Sequence, residues 1–510
     1  MDFGNPKLPS RRQILQATGT IVAGSMLPSF GFGSVHIAGN EAIQVALVGC
    51  GGRGGGAAAN AMSTQAGQLK LVAMADVFTD RLESTRDNLV KDFKDKMDVP
   101  QEKKFIGFEA YKQAMDCLNP GDIVILTTPP AFRWVHFQYA ISKKLNIFME
   151  KPLTTDGPTS RRMMKLADEA AAAGLKVGVG LMSRHAVNLQ QLHDRVSNGE
   201  IGEILYMRGY RMHGPAASFE STVKPDNMSH LEYQIRRFHS FIWASGGCFS
   251  DFYIHHIDHL SWMKNAWPVS AQASGGRHYR QNRDGKDLVD QNFDNYSVEY
   301  TFADGTKFFF DGRCIEGAHG QFSSYVHGTK GTAIAARNGD CNGPSAIYKN
   351  QKFEGKPDWI STDKSNPYQN EWEVLVKAIK NGTPHNEVVD ALPAGQGEIL
   401  IPDLLGLAPA RRDDRDALLE RERQVPLADV PVIHRLQHRA PIGRCRGGDR
   451  GRRGRYVHLG RTGRAEHDGD GHEGDGSSWQ ETAHDGALAA WRPNGEATTF
   501  ERLTPPSPHA

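Results

Sequence analysis

The sequence predicts an α/β protein with two folded domains, a doubly wound parallel sheet followed by an α+β domain with a largely antiparallel sheet. Short apolar runs alternate with helical segments up to residue 181, and a helix, a long strand and a hairpin pattern follow. The 510 residues are enough for two such domains. The predicted divisions are 1–40 (leader and linker), 41–181 (first domain), 182–388 (second domain) and 389–510 (an aberrant tail).

A glycine-rich loop follows the first apolar run, Ile43–Val48, in G-x-G-x-x-G spacing. Such glycines let the backbone turn tightly and approach a pyrophosphate, while the helix that opens next directs its N–H groups at it. A glycine-rich turn without a ligand is the alternative, but the order of strand, glycines and helix favours a Rossmann dinucleotide site. The residues predicted to line it are Gly49, Gly51, Gly52, Arg53 and Gly54.

A carboxylate ends the second predicted strand, Leu69–Ala75. Asp76 lies about 20 residues after Gly54, where this fingerprint places an acid for the ribose hydroxyls. Because Asp76 would repel a 2′-phosphate, the sequence favours NAD over NADP as the cofactor. Arg81 and Arg86 nearby leave NADP open.

The α/β alternation then continues to residue 181. Thr128 and Pro129 end a strand at the carboxyl edge of the sheet, where cofactors lie, and Gly174 is a predicted helix stop. The predicted helices are Thr79–Asp92, Ala110–Cys117, Val135–Lys143 and Thr159–Ala173, and the predicted strands are Asp122–Thr127, Asn146–Glu150 and Lys176–Gly180.

In the second domain, residues 213–240 are predicted to form a long polar and aromatic loop, whose length indicates a functional role. Ser250 is the predicted N-cap of the next helix. The predicted helices are Ala186–Ser197, Asp251–Met263 and Pro367–Gly382, and the predicted strands are Ile204–Met212, the hairpin Tyr296–Phe302 with Thr306–Arg313, and Tyr325–Ala335.

Two clusters carry candidate catalytic residues. Lys151 follows Glu150 at the carboxyl end of a strand, near the expected nicotinamide, and both residues are predicted to contact the cofactor. A lysine there can stabilise an alkoxide or transfer a proton; a surface lysine is the alternative. Asp251, His255 and Asp258 have i, i+4 and i+7 spacing, so one helix face would let a carboxylate orient a histidine as general base. Two alternatives remain open for this cluster: a metal site using Asp251, His255 and His259, or buried structural histidines.

Composition excludes several classes of protein. A formal charge of +1 with 39% hydrophobic residues gives no sign of nucleic-acid binding, and no apolar run is long enough for a membrane-spanning helix. The six cysteines lack CxxC spacing, which argues against a zinc site or a disulfide framework, and no metal is predicted.

The two ends of the chain differ from the rest. Arg11-Arg12 before a weakly apolar run predict a twin-arginine export signal, hence a periplasmic or secreted protein; a basic arm on a cytoplasmic protein is the alternative. Lysine is absent after Lys380 while arginine is frequent, which fits either a charged low-complexity tail or translation in a wrong reading frame.

Together these motifs resemble the glucose–fructose oxidoreductase / inositol dehydrogenase / MocA family, over about residues 43–385. The matching pieces are the glycine loop with Arg53, Thr128-Pro129, Glu150-Lys151-Pro152 and Asp251-x-x-x-His255-x-x-Asp258. The resemblance is greatest to twin-arginine members of planctomycete type. Pro130 departs from the family's usual asparagine, and the aberrant tail departs from its closing strands and helix.

The resemblance implies hydride transfer between a sugar or polyol carbon and NAD, on a small carbohydrate or cyclitol. Lys151 and His255 would be the catalytic pair, Asp251 would orient substrate or base, and the Lys151–Pro152 bond would be cis. Redox-neutral glycoside cleavage or epimerisation, or an inactive sugar-binding relative, are the alternative functions, and a homo-oligomer through the second sheet is left open. The candidate pocket residues are Arg184, His185, Tyr233 and Arg236.

Overall fold

A computed structural model of the chain describes residues 42–341, 343–389 and 391. The predicted export signal and the predicted aberrant tail lie outside these residues, apart from the first positions of the latter. Because Ile43–Val48 and the runs after it are mostly apolar, they form strands that are buried on both faces.

The first domain is a six-stranded parallel sheet in the order β3-β2-β1-β4-β5-β6. Separate apolar clusters of buried side chains cover its two faces. Its strands are β1 (Ile43–Val48), β2 (Leu69–Asp76), β3 (Lys104–Ile106), β4 (Ile123–Leu126), β5 (Asn146–Met149) and β6 (Val177–Val179). Its helices are α1 (Gly52–Ser63), α2 (Thr79–Phe93), α3 (Ala110–Asp116), α4 (Pro130–Ser142) and α5 (Gly157–Ala172).

The second domain is a mixed sheet in the order β14-β13-β12-β11-β7-β10-β9-β8, in which only the β7–β10 pair is parallel among the described strands. The predicted fold class is therefore confirmed. Its strands are β7 (Ile204–His213), β8 (Ser270–Gly276), β9 (Asn295–Thr301), β10 (Lys307–Cys314), β11 (Gln321–Gly328), β12 (Thr332–Ala336), β13 (Ala346–Tyr348) and β14 (Trp359–Ile360). Its helices are α6 (Val187–Ser197), α7 (His230–Arg236), α8 (Ile242–Ser245) and α9 (Ile254–Lys264).

The last described helix, α10 (Pro367–Asn381), follows the second domain in sequence but packs on the first. Trp372 stacks on Phe148 of β5 with 4.5 Å between ring centroids, and further α10 side chains join the core between the sheet and α1. Gly382 ends the helix at φ +66°, as its position in the sequence predicts.

Four predicted elements are wrong in their bounds or type. The predicted strand Tyr325–Ala335 is a hairpin, because the chain reverses between β11 and β12. The predicted loop 213–240 contains α7, which a Ser229–Glu232 capping box begins. Helix α4 starts at Pro130 rather than Val135, since proline suits a first helical turn. Ser250 is no N-cap; it lies inside a π-helical turn, Phe249–Tyr253, that precedes α9.

Candidate active site

A cavity of about 610 Å³ opens at the carboxyl ends of β1, β2 and β4. This is the edge where doubly wound sheets bind ligands. Most of the residues predicted for the cofactor line it together: Gly49, Gly51, Gly52, Arg53, Gly54, Asp76, Thr128 and Pro129.

The two outer glycines of the loop are required by close backbone approaches. Gly49 has φ +97°, and a Cβ there would lie 2.7 Å from the amide nitrogen of Thr128. A Cβ on Gly54 would lie 2.0 Å from the carbonyl oxygen of Gly49. Helix α1 begins at Gly52 with Gly51 as its N-cap and no side chain capping it, so the free N–H groups of its first turn are available to a pyrophosphate.

Asp76 is held at the end of β2 by backbone donors. The amide of Cys50 donates to its Oδ2 over 2.6 Å, and the amide of Phe78 donates to its Oδ1 over 2.9 Å. Burial raises the pKa of Asp76, and these amides oppose the rise. A fixed carboxylate on the cavity wall suits the ribose hydroxyls of a dinucleotide, so the cavity fits the predicted cofactor.

Arg236 lines the cavity on the same side as Asp76. Its guanidinium binds the carboxylate of Asp80 through two contacts of 2.8 and 2.7 Å and lies 4.1 Å from the centroid of the Phe78 ring. Arg81 donates to the carbonyl of Arg236 over 2.7 Å. We call Asp80, Arg81 and Arg236 the clasp. Arg236 lines this cavity, and its predicted role in substrate binding stays a prediction.

Arg133 connects two strand ends at the same edge. It is 1% exposed, and its two terminal nitrogens donate to the carbonyls of Thr128 and Glu150. Burial lowers the pKa of Arg133 to about 10, which leaves it charged near neutrality. The guanidinium therefore holds together the chain segments that follow β4 and β5.

Glu150 is a buried ion-pair partner and does not line the cavity. The guanidinium of Arg53 in α1 contacts its carboxylate and lies 4.7 Å from the centroid of the Tyr368 ring. Glu150 thus connects Arg53 of the glycine-loop helix to Lys151, the next residue in the chain, and its predicted cofactor role stays a prediction.

Lys151 and Asp251 meet across the two domains. Lys151 Nζ donates to the backbone carbonyl of Asp251 and lies 3.5 Å from its Oδ1. The Lys151–Pro152 bond is cis, as the resemblance implied. The convergence of these two predicted residues, about a hundred positions apart, places a cation and a carboxylate beside the nucleotide cavity.

The helix-face argument for Asp251, His255 and Asp258 is wrong in its geometry. The π-helical turn Phe249–Tyr253 inserts an extra residue into the helical path, which shifts Asp251 relative to α9. Within the described chain, the carboxylate of Asp251 contacts Lys151 and His239 rather than His255. Asp258 is fully buried, and its carboxylate accepts hydrogen bonds of 2.9 to 3.1 Å from the guanidinium of Arg184.

His255 is buried near Lys151. It is 4% exposed, and its Nδ1 is buried with no hydrogen-bond partner among the residues that the structure describes. Burial, followed by the charge of Lys151, places the pKa of His255 well below its ordinary value, so the ring is neutral. Its predicted role as general base stays a prediction.

The rival metal cluster is not assembled. His259 Nε2 lies 2.7 Å from Ser324 Oγ, and burial lowers the pKa of His259 to about 3. Among the described residues, no group of three histidine, cysteine, aspartate or glutamate side chains is arranged to hold a metal ion.

The other predicted pocket residues are engaged elsewhere. Arg184 pairs with Asp258, His185 Nε2 lies 2.7 Å from the carboxylate of Glu387, and the Tyr233 hydroxyl donates to the carbonyl of Thr222 over 2.5 Å. The structure does not bring Arg184, His185, Tyr233 and Arg236 into one pocket, because each is fixed by a partner in a different part of the protein.

Sequence reasoning missed His239. Its Nε2 lies 3.2 Å from Asp251 Oδ2, its Nδ1 lies 2.7 Å from Ser218 Oγ, and both His239 and Ser218 line the cavity. Both belong to the segment predicted as a functional loop, so its length was a signal, but no spacing singled out these two positions.

Arg211 and Asp340 were also missed. Arg211 donates to Asp340 and to the carbonyl of Phe252, both over 2.7 Å, and its guanidinium lies 4.4 Å from the centroid of the Phe322 ring. Burial raises the pKa of Asp340 while Arg211 opposes the rise. Their pairing depends on β7 and the segment that follows β12 lying close in space, which no motif records.

Two family models match this architecture. Residues 43–181 match the oxidoreductase family with an NAD-binding Rossmann fold, and residues 189–334 match the GFO/IDH/MocA C-terminal domain. No helix among the residues that the structure describes has the length and apolar character needed to cross a membrane.

Curated relatives match a short segment. Inositol 2-dehydrogenase of Pseudarthrobacter chlorophenolicus is 34% identical over 104 residues, 20% of this chain and 30% of the relative. The enzyme of the same name from Leifsonia xyli subsp. xyli is 27% identical over 128 residues, 24% and 37% of the two chains. The match therefore spans about a third of the length of these relatives.

Solved structures share the fold over most of their length. Aldose-aldose oxidoreductase from Caulobacter crescentus, complexed with glycerol, has a TM-score of 0.55 at 13% identity, covering 72% of this chain and 98% of that one. Levoglucosan dehydrogenase, in complex with NADH and levoglucosan, has the same TM-score and coverage at 15% identity. Myo-inositol 2-dehydrogenase from Lactobacillus plantarum has a TM-score of 0.52 at 22% identity, with the same coverage.

The first matched segment contains all six strands of the parallel sheet, and the second contains β7 to β11 and the first residues of β12 of the mixed sheet. The first carries the glycine loop and Asp76, and the second carries the strands and α9 that bring Asp251 to Lys151. The chain therefore belongs to the GFO/IDH/MocA family of oxidoreductases, with an NAD-binding Rossmann domain.

Proposed function

We propose that this protein oxidises a secondary hydroxyl of a cyclitol or sugar, with NAD as the hydride acceptor. The observation that supports the proposal best is the approach of Lys151 to Asp251 at the carboxyl edge of the parallel sheet, beside the nucleotide cavity. The bound dinucleotide would supply hydride acceptance, which the protein's own side chains cannot provide.

The protein's own residues supply binding and proton chemistry. Gly49, Gly54 and the first turn of α1 would hold the pyrophosphate, and Asp76 would hold a ribose. Lys151, directed by the carboxylate of Asp251, would polarise the substrate hydroxyl and exchange its proton. The curated relatives are named inositol 2-dehydrogenases, which favours inositol as the substrate. The matching segment covers only part of the length of these relatives.

The test is NADH formation, followed by absorbance, with myo-inositol, levoglucosan and a set of aldoses. Lys151→Met should lower kcat by about 10²- to 10⁴-fold, the range that a positioned proton-transfer group contributes. Lys143→Met is a matched control, because Lys143 pairs with Asp116 on α3, away from the cavity.

Three outcomes separate the alternatives. Net NADH that depends on Lys151 supports the proposal. Cleavage or epimerisation of a glycoside without net NADH contradicts it and supports the redox-neutral function. Nucleotide binding without turnover of any compound contradicts both and leaves an inactive sugar-binding relative.

We also propose export through the twin-arginine pathway, which places the enzyme in the periplasm or outside the cell. The support is the order of Arg11-Arg12 and the apolar run in the sequence. Replacing both arginines with lysine in a reporter fusion should abolish export, and export that persists would contradict the proposal.

A further inference from the structure

The carboxylate of Asp251 stands between two basic side chains. Its Oδ1 lies 3.5 Å from Lys151 Nζ, and its Oδ2 lies 3.2 Å from His239 Nε2. The other ring nitrogen of His239, Nδ1, lies 2.7 Å from Ser218 Oγ. Lys151, Asp251, His239 and Ser218 therefore form a continuous row of polar groups, which we call the proton row.

The two ends of the proton row lie in different surroundings. Lys151 follows β5 at the sheet edge, where the proposed chemistry takes place. His239 and Ser218 line the nucleotide cavity, and the His239 side chain is 19% exposed. His255, by contrast, is 4% exposed and does not line that cavity. The row thus connects the reacting edge of the sheet to a space that water can enter.

The surroundings of His239 select one form of its ring. A carboxylate facing Nε2 favours the tautomer with hydrogen on Nε2, because it would repel a lone pair there. Nδ1 is then the acceptor for the Ser218 hydroxyl. The ring of Phe238 lies 3.8 Å away between centroids, and Phe219 and Phe252 pack within 6 Å, so the orientation is fixed.

The charged groups near His239 act in both directions. Burial is the largest influence and lowers the pKa of His239, and Asp251 opposes it. Lys151 from the first domain, Arg81 from α2 and the neighbouring Arg237 lower it further. The ring is therefore neutral at neutral pH, with Nδ1 able to take up a proton.

We propose that His239 is a proton-relay residue that reloads Lys151 through Asp251, with Ser218 as the entry point from the cavity. This inference rests on the proposed function. In carbonyl reduction, hydride adds to the carbonyl carbon and the Lys151 ammonium gives a proton to the carbonyl oxygen. Nδ1 of His239 takes one proton from water through Ser218, Nε2 gives one to Asp251, and Asp251 gives one to the Lys151 amine.

The balance of this cycle is one proton taken from cavity water for each carbonyl reduced. The ring ends with its hydrogen on Nδ1 and returns to the Nε2–H form by exchange with solvent. Alcohol oxidation runs through the same steps in reverse, so the hydroxyl proton leaves by the same row.

Two substitutions at His239 separate a relay from a positioning contact. Asparagine places an amide near the position of Nδ1 and can keep the Ser218 contact, whereas glutamine places one near Nε2 and can keep the Asp251 contact. Neither amide titrates. In the full-length enzyme, with NAD and the compound that the substrate panel identifies, H239N and H239Q should both lower kcat about 100-fold and remove the pH dependence of kcat that His239 causes.

His259 provides the matched control. Its Nε2 contacts Ser324 over 2.7 Å, the same separation as in the His239–Ser218 pair, but it has no carboxylate partner among the described contacts and does not line the cavity. H259Q should keep the wild-type dependence of kcat on pH. If H239Q, which can keep the Asp251 contact, retains the wild-type kcat and its pH dependence, His239 only positions Asp251 and the relay is excluded. If H239N retains them, the relay is likewise excluded and the Asp251 contact is not required.

A second measurement needs no substrate. Nuclear magnetic resonance of the full-length protein with ¹⁵N-labelled histidine should show His239 as the Nε2–H tautomer, and D251N should lower its pKa because the partner charge is lost. An Nδ1–H tautomer, or a titration that D251N leaves unchanged, would overturn the relay. Absence of turnover with every compound contradicts the proposed function instead, so the two failures are distinguishable.

Discussion

The site has two sides, which differ in the parts of the polypeptide that build them. We call the glycine loop with Asp76 the nucleotide wall, and Lys151, Asp251 and His239 the catalytic wall. On the nucleotide wall, backbone atoms make the decisive contacts: Gly49 and Gly54 meet main-chain atoms, and the amides of Cys50 and Phe78 fix Asp76. On the catalytic wall, side chains from distant segments meet one another, as Lys151 and His239 do at Asp251. The first wall depends on local chain geometry, and the second depends on how the domains pack.

The largest difference between the walls should appear when a methyl group is added to the glycine loop. In Gly54→Ala the new Cβ lies 2.0 Å from the backbone oxygen of Gly49, which cannot rotate away. We expect the free energy of unfolding to fall by about 3 kcal/mol, measured by urea denaturation, together with loss of NAD binding.

Gly56→Ala is the control for this substitution. Gly56 lies in the same helix, and the nearest atom to an added Cβ is 3.6 Å away, on Arg53. Its unfolding free energy should be unchanged or rise by up to about 1 kcal/mol. Equal destabilisation by both substitutions would contradict a backbone-built wall.

Acid should affect the catalytic wall more than the nucleotide wall. Burial lowers the pKa of three neighbouring histidines of α9, His255, His256 and His259, and of one histidine of α4, His136. The unfolded chain therefore binds protons near pH 6.5 that the folded chain refuses, so stability falls as pH drops below about 6.5.

Each such histidine can contribute up to about 1.4 kcal/mol per pH unit in that window. Hydrogen exchange should show α9 losing protection before α4 on acidification, and H259Q should make the decline shallower. Loss of protection in α4 first would contradict the contrast between the walls.

A smaller effect is expected from the ribose contact. Asp76→Ser removes a carboxylate that, in the proposed complex, would accept hydrogen bonds from a ribose and repel a 2′-phosphate. NAD affinity should fall about tenfold and NADP affinity less, measured by fluorescence titration. Equal losses for both nucleotides would refute the assignment.

The smallest effect is expected from the clasp, which is a side-chain contact on the nucleotide wall. Arg236→Met removes a partly exposed ion pair with Asp80, so NAD should dissociate only a few-fold faster in stopped-flow measurements. Arg86→Met, which removes the exposed pair with Asp87, is the control. Slower release in R236M would show that the clasp hinders closure of the cavity.

Predictability from sequence follows the same division. The strand, glycine loop and Asp76 occur within one short stretch, and their contacts are backbone contacts that any chain of this pattern makes. Pattern reasoning therefore predicted residues that line one cavity, and their contacts with a nucleotide stay a prediction. Asp251 and Lys151 were predicted as individual residues, and their meeting was also expected.

The rest of the catalytic wall was not accessible to pattern reasoning. The π-helical turn Phe249–Tyr253 inserts one extra residue into the helical path. Asp251 is therefore shifted from the position that the spacing of a regular helix predicts. His239 and Ser218 lie in a segment without periodicity, and Arg184 is bound to Asp258 across the fold. Each depends on a contact between residues far apart in sequence, which a single sequence does not record.

The contacts of Glu150 have a consequence for the order of events in turnover. Arg53, on the helix proposed to bind the pyrophosphate, contacts the Glu150 carboxylate, and Arg133 holds the Glu150 carbonyl beside Thr128. Lys151 is the next residue in the chain after Glu150. A movement of the glycine-loop helix on binding a dinucleotide would therefore be transmitted to Lys151 through one peptide bond. We therefore expect nucleotide binding to adjust the position of Lys151 before the substrate binds. Steady-state kinetics should accordingly be compulsory-ordered, with the nucleotide binding first and leaving last.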